Sequence, residues 1–218
     1  MVVVATKLVS RSALWGGILF AFGVVQFVVA MAVVQTQYAG YSLLTNYISD
    51  LGNTATSPWH VVFNLSLITL GVTAFLGILL GWSGFPRGGP RVVGLVLLLF
   101  ASVSAVVVGS FPENVNPAIH DTFSLLIFLP GGLGLAVVSF GMKQGTHWFG
   151  YRAFSLLLGL VTLASLAYYA PTQVTNTTFD PGLFERLIVA PFLIWGFVAG
   201  IHLTRLPRFS PTTRPTAV

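Results

Sequence analysis

Hydrophobic residues fall into six long runs, at Ser12–Val34, Val61–Trp82, Val92–Gly109, Ile119–Gly141, Tyr151–Ala170 and Leu187–Thr204, with the polar residues gathered between them. Each run has about 18 to 23 residues, enough for a helix to cross a hydrocarbon core of roughly 30 Å. The pattern predicts an all-α fold: a polytopic integral membrane protein with six transmembrane helices in a single bundle over residues 1–205. A tail from Leu206 to Val218, rich in Pro and Thr, is expected to be disordered and cytoplasmic. Lys7 and Arg11 precede the first run, and Ala30-Met31-Ala32 near its end resembles a signal-peptide cleavage site. The run is longer than a signal peptide's apolar region, so it reads as an anchor that is kept.

The polar connections are unequal. Those at Ser83–Arg91 and Lys143–Gly150 are short, whereas Gln35–His60, Ser110–Ala118 and Pro171–Arg186 are longer or richer in acids. Within the first of these, Leu43, Leu44, Tyr47, Ile48 and Leu51 recur at helical spacing. They predict a short interfacial helix over about residues 41–51, closed by Gly52.

Composition agrees with the pattern. Of the 218 residues 55% are hydrophobic and 7% are charged, against about a quarter charged in an ordinary soluble domain. Disordered chains are polar and charge-rich, so the same figures exclude disorder. The pI of about 10.0 does not point to nucleic acid, because the basic residues stand singly between apolar runs. With no cysteine, disulfides, thiolate metal sites and thiol nucleophiles are absent.

Charge also orients the bundle. Lys7, Arg11, Arg87, Arg91, Lys143, Arg152, Arg205, Arg208 and Arg214 fall on one side of six spans, and Arg186 alone falls on the other. The positive-inside rule then places both termini in the cytoplasm and the protein in a cell membrane. All five acids, Asp50, Glu113, Asp121, Asp180 and Glu185, lie on the opposite, outer side. That face gathers the polar chemistry.

A weak repeat of 60 to 61 residues aligns Phe63, Phe123 and Phe184, His60 with His120, Asn64 with Ser124, Gly71 with Gly131, and Pro130 with Pro191. It fits three repeated helical hairpins, and it also fits coincidence among low-complexity apolar segments. Pro130 and Pro191 would kink the fourth and sixth spans. Gly196 and Gly200 form a GxxxG face that suits internal helix packing.

Three outer segments carry a resemblance. Asn46-Tyr47-Ile48-Ser49-Asp50-Leu51-Gly52, then Gly109-Ser110-Phe111-Pro112-Glu113-Asn114 leading to His120, then Gly182-Leu183-Phe184-Glu185-Arg186, occur in that order. Together they resemble the six-span prokaryotic membrane family catalogued as domain of unknown function 998, over nearly the whole chain. The resemblance implies that these outer residues, Asn46 and Asn114 among them, carry whatever the family does. It supplies no reaction.

Residue chemistry leaves several readings open. His60 shares a helical face with Asn64, and His120 with Ser124. If the spans bundle in order, His60 and His120 with Glu113 form a zinc set, and an open position on such a metal generates hydroxide near neutral pH. A triad reading takes Ser49 as nucleophile, with Asp50, His120 and Asp121 as its acid–base partners. The structural alternative makes Asp121 and Glu185 first-turn acids that complement helix dipoles. Arg186 then pairs with Glu113, Asp50 or Asp180, or with an anionic lipid headgroup. No HExxH, HxxxH or GxSxG pattern supports catalysis. Haem b would need His60 and His120 as outer ligands with His147 and His202 on the inner side, and His147 lies in a loop. Asn176-Thr177-Thr178 is an outer glycosylation sequon, and the five tryptophans read as interfacial anchors.

Ionisable groups are missing from the span centres, which disfavours coupled transport. The expected function is a non-catalytic membrane protein, a lipid-binding scaffold or an accessory subunit of a membrane complex. Its expected partners are membrane lipids and subunits of such a complex, with no nucleic acid and no required cofactor. The alternative is a metal-dependent hydrolase or lipid-modifying enzyme working at the outer leaflet.

Overall fold

The computed structural model describes residues 11–175 and 179–207. Lys7, the sequon at Asn176, and the tail beyond Pro207 lie outside the described residues. Six helices follow in order: α1 (Arg11–Gln37), α2 (His60–Gly81), α3 (Gly89–Ser110), α4 (Pro117–Ser139), α5 (Arg152–Thr175) and α6 (Pro181–Arg205). All six are long and apolar enough to cross a membrane. They form one ring in chain order, each packed on the next, and α1 closes it against α6. Neighbours run antiparallel, as Gly16 against Gly81 with Gly23 against Thr73 shows for the first pair.

Small residues set the crossings. A Cβ added to Gly71 would stand 2.7 Å from the Ser102 carbonyl, and one on Gly94 would stand 2.8 Å from the Val138 nitrogen. Backbones approach this closely because lipid offers no hydrophobic drive between helices, so dispersion contact must hold them. Gly200 meets Gly17 and Ala21 of α1 in the same way, so the GxxxG face packs inside the ring as expected. Gly71 and Gly131, aligned in the sequence repeat, serve different neighbours: Gly71 meets the α3 backbone and Gly131 the ring of Phe192. Gln26, polar within its span, donates to the Gly23 and Ser66 carbonyls, both at 2.9 Å, and so ties α1 to α2.

Local sequence fixes the helix starts. Asn116 caps α4 by accepting the Ile119 N–H at 3.1 Å, with Pro117 at the first helical position. At α6, Asp180 takes a left-handed φ of 47° ahead of Pro181. This start lies six residues before the apolar run at Leu187, and α5 continues five residues past Ala170, so most of the connection expected over Pro171–Arg186 is helix. Consequently Asp121 and Glu185 are not first-turn acids: each is the fifth residue of its helix. Both prolines sit inside continuous helices, and Thr162 Oγ1 donates to the Ile188 carbonyl at 3.2 Å, three residues before Pro191.

The tryptophans divide. Trp15 and Trp59 are exposed, as interfacial anchors should be, but Trp148 and Trp195 are buried. Trp148 stacks on Phe85 with centroids 4.6 Å apart and donates to the Gly84 carbonyl at 2.8 Å. Trp195 donates to Ser155 Oγ at 2.9 Å. These two are core residues, each satisfied through its indole N–H.

Candidate functional site

The predicted interfacial helix over 41–51 does not form. Residues 38–48 run through turns, and a single 3₁₀ turn covers Ser49–Gly52. Side-chain acceptors explain the difference, because they take the backbone N–H groups a helix would use. Asn46 Oδ1 accepts from Ser42 N at 3.0 Å, Asp50 Oδ2 accepts from Tyr47 N at 2.9 Å, and Glu185 Oε2 accepts from Ile48 N. Asn46 Nδ2 also donates to Asp50 Oδ2 at 2.9 Å. The helical spacing of the apolar residues serves packing instead: Ile48 and Leu51 are buried with Phe27, Val34 and Phe63.

The three family-like segments meet here. Ser49 Oγ donates to Glu113 Oε2 at 2.8 Å, and Asn53 Nδ2 reaches Glu113 Oε1 at 3.4 Å. Asn114 engages Thr54 twice, accepting from its N–H at 3.0 Å and donating to its hydroxyl at 2.8 Å. Asn64 Nδ2 donates to the Gly52 carbonyl at 3.0 Å, pinning the 3₁₀ turn to α2. From α6, Arg186 Nη1 donates to the Asn46 carbonyl at 2.9 Å and the Gly182 carbonyl at 2.8 Å, and Nη2 to Tyr41 Oη at 2.6 Å. Tyr41 Oη in turn donates to the Tyr47 carbonyl at 2.7 Å. The expected partners of Arg186 were carboxylates, but it spends its guanidinium on two carbonyls and a phenol. Asp180 instead uses its carbonyl, which accepts from Leu183 N at 3.0 Å.

Burial and charge act on this cap together. Burial pushes the Glu113 carboxyl above its ordinary value of 4.5; the Ser49 hydroxyl opposes that rise and the Asp50 charge adds to it. The Tyr41 phenol is pushed up to about 12 by burial, against the pull of Arg186.

The expected catalytic and metal partners do not converge. His60 Nδ1–H donates to the Ser57 carbonyl at 2.9 Å and His120 Nδ1–H to the Phe111 carbonyl at 3.0 Å, so each imidazole fixes its own loop. Asp121 is exposed. Among the described residues, no three His, Asp or Glu side chains stand together as a metal ion needs, so His60, Glu113 and His120 are not one ligand set. The proton of Ser49 goes to a carboxylate rather than an imidazole, which is not how a serine nucleophile is activated. At the opposite end of the ring His202 packs between Trp148 and Tyr151, both centroids 4.4 Å away.

Beneath the cap lies a cavity of about 150 Å³, lined from α1, α2, α3, α4 and α6 and roofed by Ile48 and Ser49. Its wall follows α6 from Glu185 to Gly196, about 16 Å at the helical rise. The cavity is thus elongated along the helices. Nearly all the lining is apolar, as at Phe20, Leu70, Leu98, Phe128 and Trp195. Thr73 and Ser102 also line it, but their hydroxyls donate to their own helices, to Thr69 and Leu98 carbonyls at 2.7 Å. Sequence reasoning missed this chamber, along with Tyr41, Asn53 and Thr54.

The family described as protein of unknown function (DUF998) matches residues 21–202, and the chain belongs to it. No curated protein and no solved structure matches the chain.

Proposed function

We propose that this DUF998 protein is a non-catalytic, lipid-binding membrane protein that takes a single apolar chain into the interior of its helical ring. The elongated chamber supports this reading above everything else. A void of about 150 Å³ walled by Leu, Ile and Phe side chains stays dry and accepts apolar guests, and the slot's length suits a chain rather than a compact solute. The cap gives a second support: its side chains bond to one another and to backbone, the economy of a lid. With basic residues concentrated at the opposite end, both termini face the cytoplasm and the cap faces outward.

Native mass spectrometry of the protein, gently solubilised from its own membrane, tests the proposal. The expected spectrum shows the chain carrying an amphiphile. Ala74 and Ala105 line the slot, so the double variant Ala74→Leu/Ala105→Leu should lose that adduct while keeping its thermal stability. A parent chain free of any bound amphiphile overturns the reading.

A further inference from the structure

Apart from Arg186, the basic residues of the described chain are Arg11, Arg87, Arg91, Lys143, Arg152 and Arg205, and helix order brings all of them to the end of the ring opposite the cap. The five Asp and Glu residues all lie at the cap end, so no acidic side chain answers these cations. Arg11, Arg87, Lys143, Arg152 and Arg205 are exposed, where water screens them. Arg91 is different. It is the third residue of α3 and shares a helical face with Gly94, Leu95 and Leu98, all buried. Its guanidinium carbon lies 5.7 Å from the centroid of the Trp82 ring, and Trp82 packs on the core. Its Nε is buried and meets no hydrogen-bond acceptor among the described residues.

A charged N–H held out of water without an acceptor is costly, and the cost disappears when a ligand supplies one. An anion supplies the acceptor and the opposite charge together. The approach is open: a Cβ added to Gly89 would meet nothing within 4 Å, and Gly88 beside it carries no side chain. Arg87 precedes these glycines. A Cβ added to Gly141, past the end of α4, would stand 4.0 Å from the Arg91 nitrogen, so Lys143, two residues on, belongs to the same corner. Leu79 of α2 with Val92 and Val96 of α3 are exposed, an apolar surface on the two helices that carry the corner.

We propose that this corner, Arg91 with Trp82, Arg87 and Lys143, binds the phosphodiester of an anionic phospholipid in the leaflet at the basic end of the ring. The planar guanidinium fork matches phosphate oxygens, and its Nε–H gains the acceptor it lacks. The neighbouring cations repel the ammonium of a zwitterionic headgroup, so a headgroup of net negative charge is preferred. The acyl chains lie on the exposed apolar side chains of α2 and α3. The site is separate from the chamber, whose lining includes neither Arg91 nor Trp82.

The full chain in nanodiscs of equal phosphatidylglycerol and phosphatidylcholine, released into native mass spectrometry, tests the site by the lipids it retains. The parent should retain phosphatidylglycerol over phosphatidylcholine by about tenfold. Arg91→Lys keeps the charge but loses the Nε–H and the fork, and should cut that preference about fivefold. Arg87→Gln/Lys143→Gln should weaken it clearly. Arg152→Gln/Arg205→Gln removes the same charge from the same end, on helices away from α3 in the ring, and should stay within about twofold of the parent. Equal retention of the two lipids by the parent overturns the site. An unchanged preference in Arg91→Lys does the same. Equal losses in the two double variants also overturn it, by showing diffuse attraction to a basic surface. Phosphatidylglycerol should raise the thermal unfolding midpoint above that in pure phosphatidylcholine discs. An equal rise from inorganic phosphate in the pure discs overturns the lipid assignment. Should Arg91→Lys fail to fold, the two double variants still decide.

Discussion

Ser49 Oγ donates to Glu113 Oε2 across 2.8 Å, joining two connections at one end of the ring through residues 64 apart in the chain. Ser49 also roofs the chamber, so this bond fixes the roof from one side while Glu185 holds the neighbouring Ile48 N–H from the other. Two carboxylates from different elements thus suspend one dipeptide over the slot.

Removing the Ser49 hydroxyl leaves the half-buried Glu113 carboxylate with Asn53 at 3.4 Å as its remaining side-chain donor. Ser49→Ala should cost about 1–3 kcal/mol of stability, the usual penalty for orphaning a desolvated acceptor. Glu113→Gln should cost a comparable amount, and the double variant much less than the sum, because both break one bond. Chemical denaturation of the four proteins in a fixed detergent measures that coupling. Strict additivity would mean that the bond contributes nothing.

The same carboxyl gives the cap a pH dependence of definite sign. Burial, with Asp50 beside it, raises Glu113 above 4.5, against the opposing Ser49 bond. Between the ordinary and the raised value the folded chain binds more protons than the unfolded one, so stability falls as pH rises through that window. Its contribution is fully present below the ordinary carboxyl range and lost above the raised value. Melting curves at a series of pH values should show this fall from about pH 4.5 upward, and Glu113→Gln should make it shallower. A rise over the same window would contradict the assignment.

Much of this architecture is legible in hydropathy and charge. The expected spans match the first four helices to within three residues, since a 20-residue apolar run has few other solutions, and α5 runs five residues beyond the expected end at Ala170. The sixth was placed late because Glu185 and Arg186 interrupt the apolar run. Both lie within α6, where backbone groups of the first connection hydrogen-bond to them. The cap was illegible for a related reason. Leu43, Leu44, Tyr47, Ile48 and Leu51 have helical spacing, but periodicity cannot register that Asn46, Asp50 and Glu185 compete for the same N–H groups. Ser49, Asp50 and Glu113 were legible as polar residues of one face, whereas their partners depend on ring order.

Tyr41 and Arg186 form the second anchor. The phenol accepts from Nη2 at 2.6 Å and donates to the Tyr47 carbonyl at 2.7 Å, and the guanidinium carbon lies 5.6 Å from the ring centroid. Tyr41→Phe keeps the cation over an aromatic ring and deletes both hydrogen bonds, so its cost, about 1–3 kcal/mol, reads the bonds alone. Arg186→Lys should cost at least as much, because one ammonium cannot span Tyr41, Asn46 and Gly182 as the planar fork does. With Tyr41 raised from 10.0 to about 12, the folded state holds that proton more tightly. Its contribution is therefore present below pH 10 and lost as pH climbs toward 12. Alkaline melts of the parent against Tyr41→Phe check this: the steeper loss belongs to the parent.

Ring closure depends on two adjacent glycines in α1. A Cβ on Gly16 would stand 2.5 Å from Gly81 N and 2.7 Å from the Gly77 carbonyl, while one on Gly17 would stand 2.5 Å from the Gly200 carbonyl. Consecutive helical positions point about 100° apart, so Gly16 seats α1 on α2 and Gly17 seats it on α6. The atoms in the way are backbone, which cannot rotate aside as a side-chain tip would. Gly17→Ala must therefore separate α1 from α6, and overpacking of this kind costs about 1–3 kcal/mol. Gly16→Ala should cost a similar amount at the other contact. Gly40, with nothing within 4 Å of an added Cβ but a φ of 74°, is unsuitable as a neutral control. Gly150 is open and has no such φ, and Gly150→Ala should leave stability within about 0.5 kcal/mol of the parent. Separation of α1 from α6 also widens the chamber wall where Phe20, Val24 and Gly196 meet. Gly17→Ala should accordingly weaken retention of a bound amphiphile in native mass spectra, and Gly150→Ala should leave it unchanged. Equal retention and equal melting temperature in Gly17→Ala and the parent would show that the α1–α6 contact does not hold the ring closed.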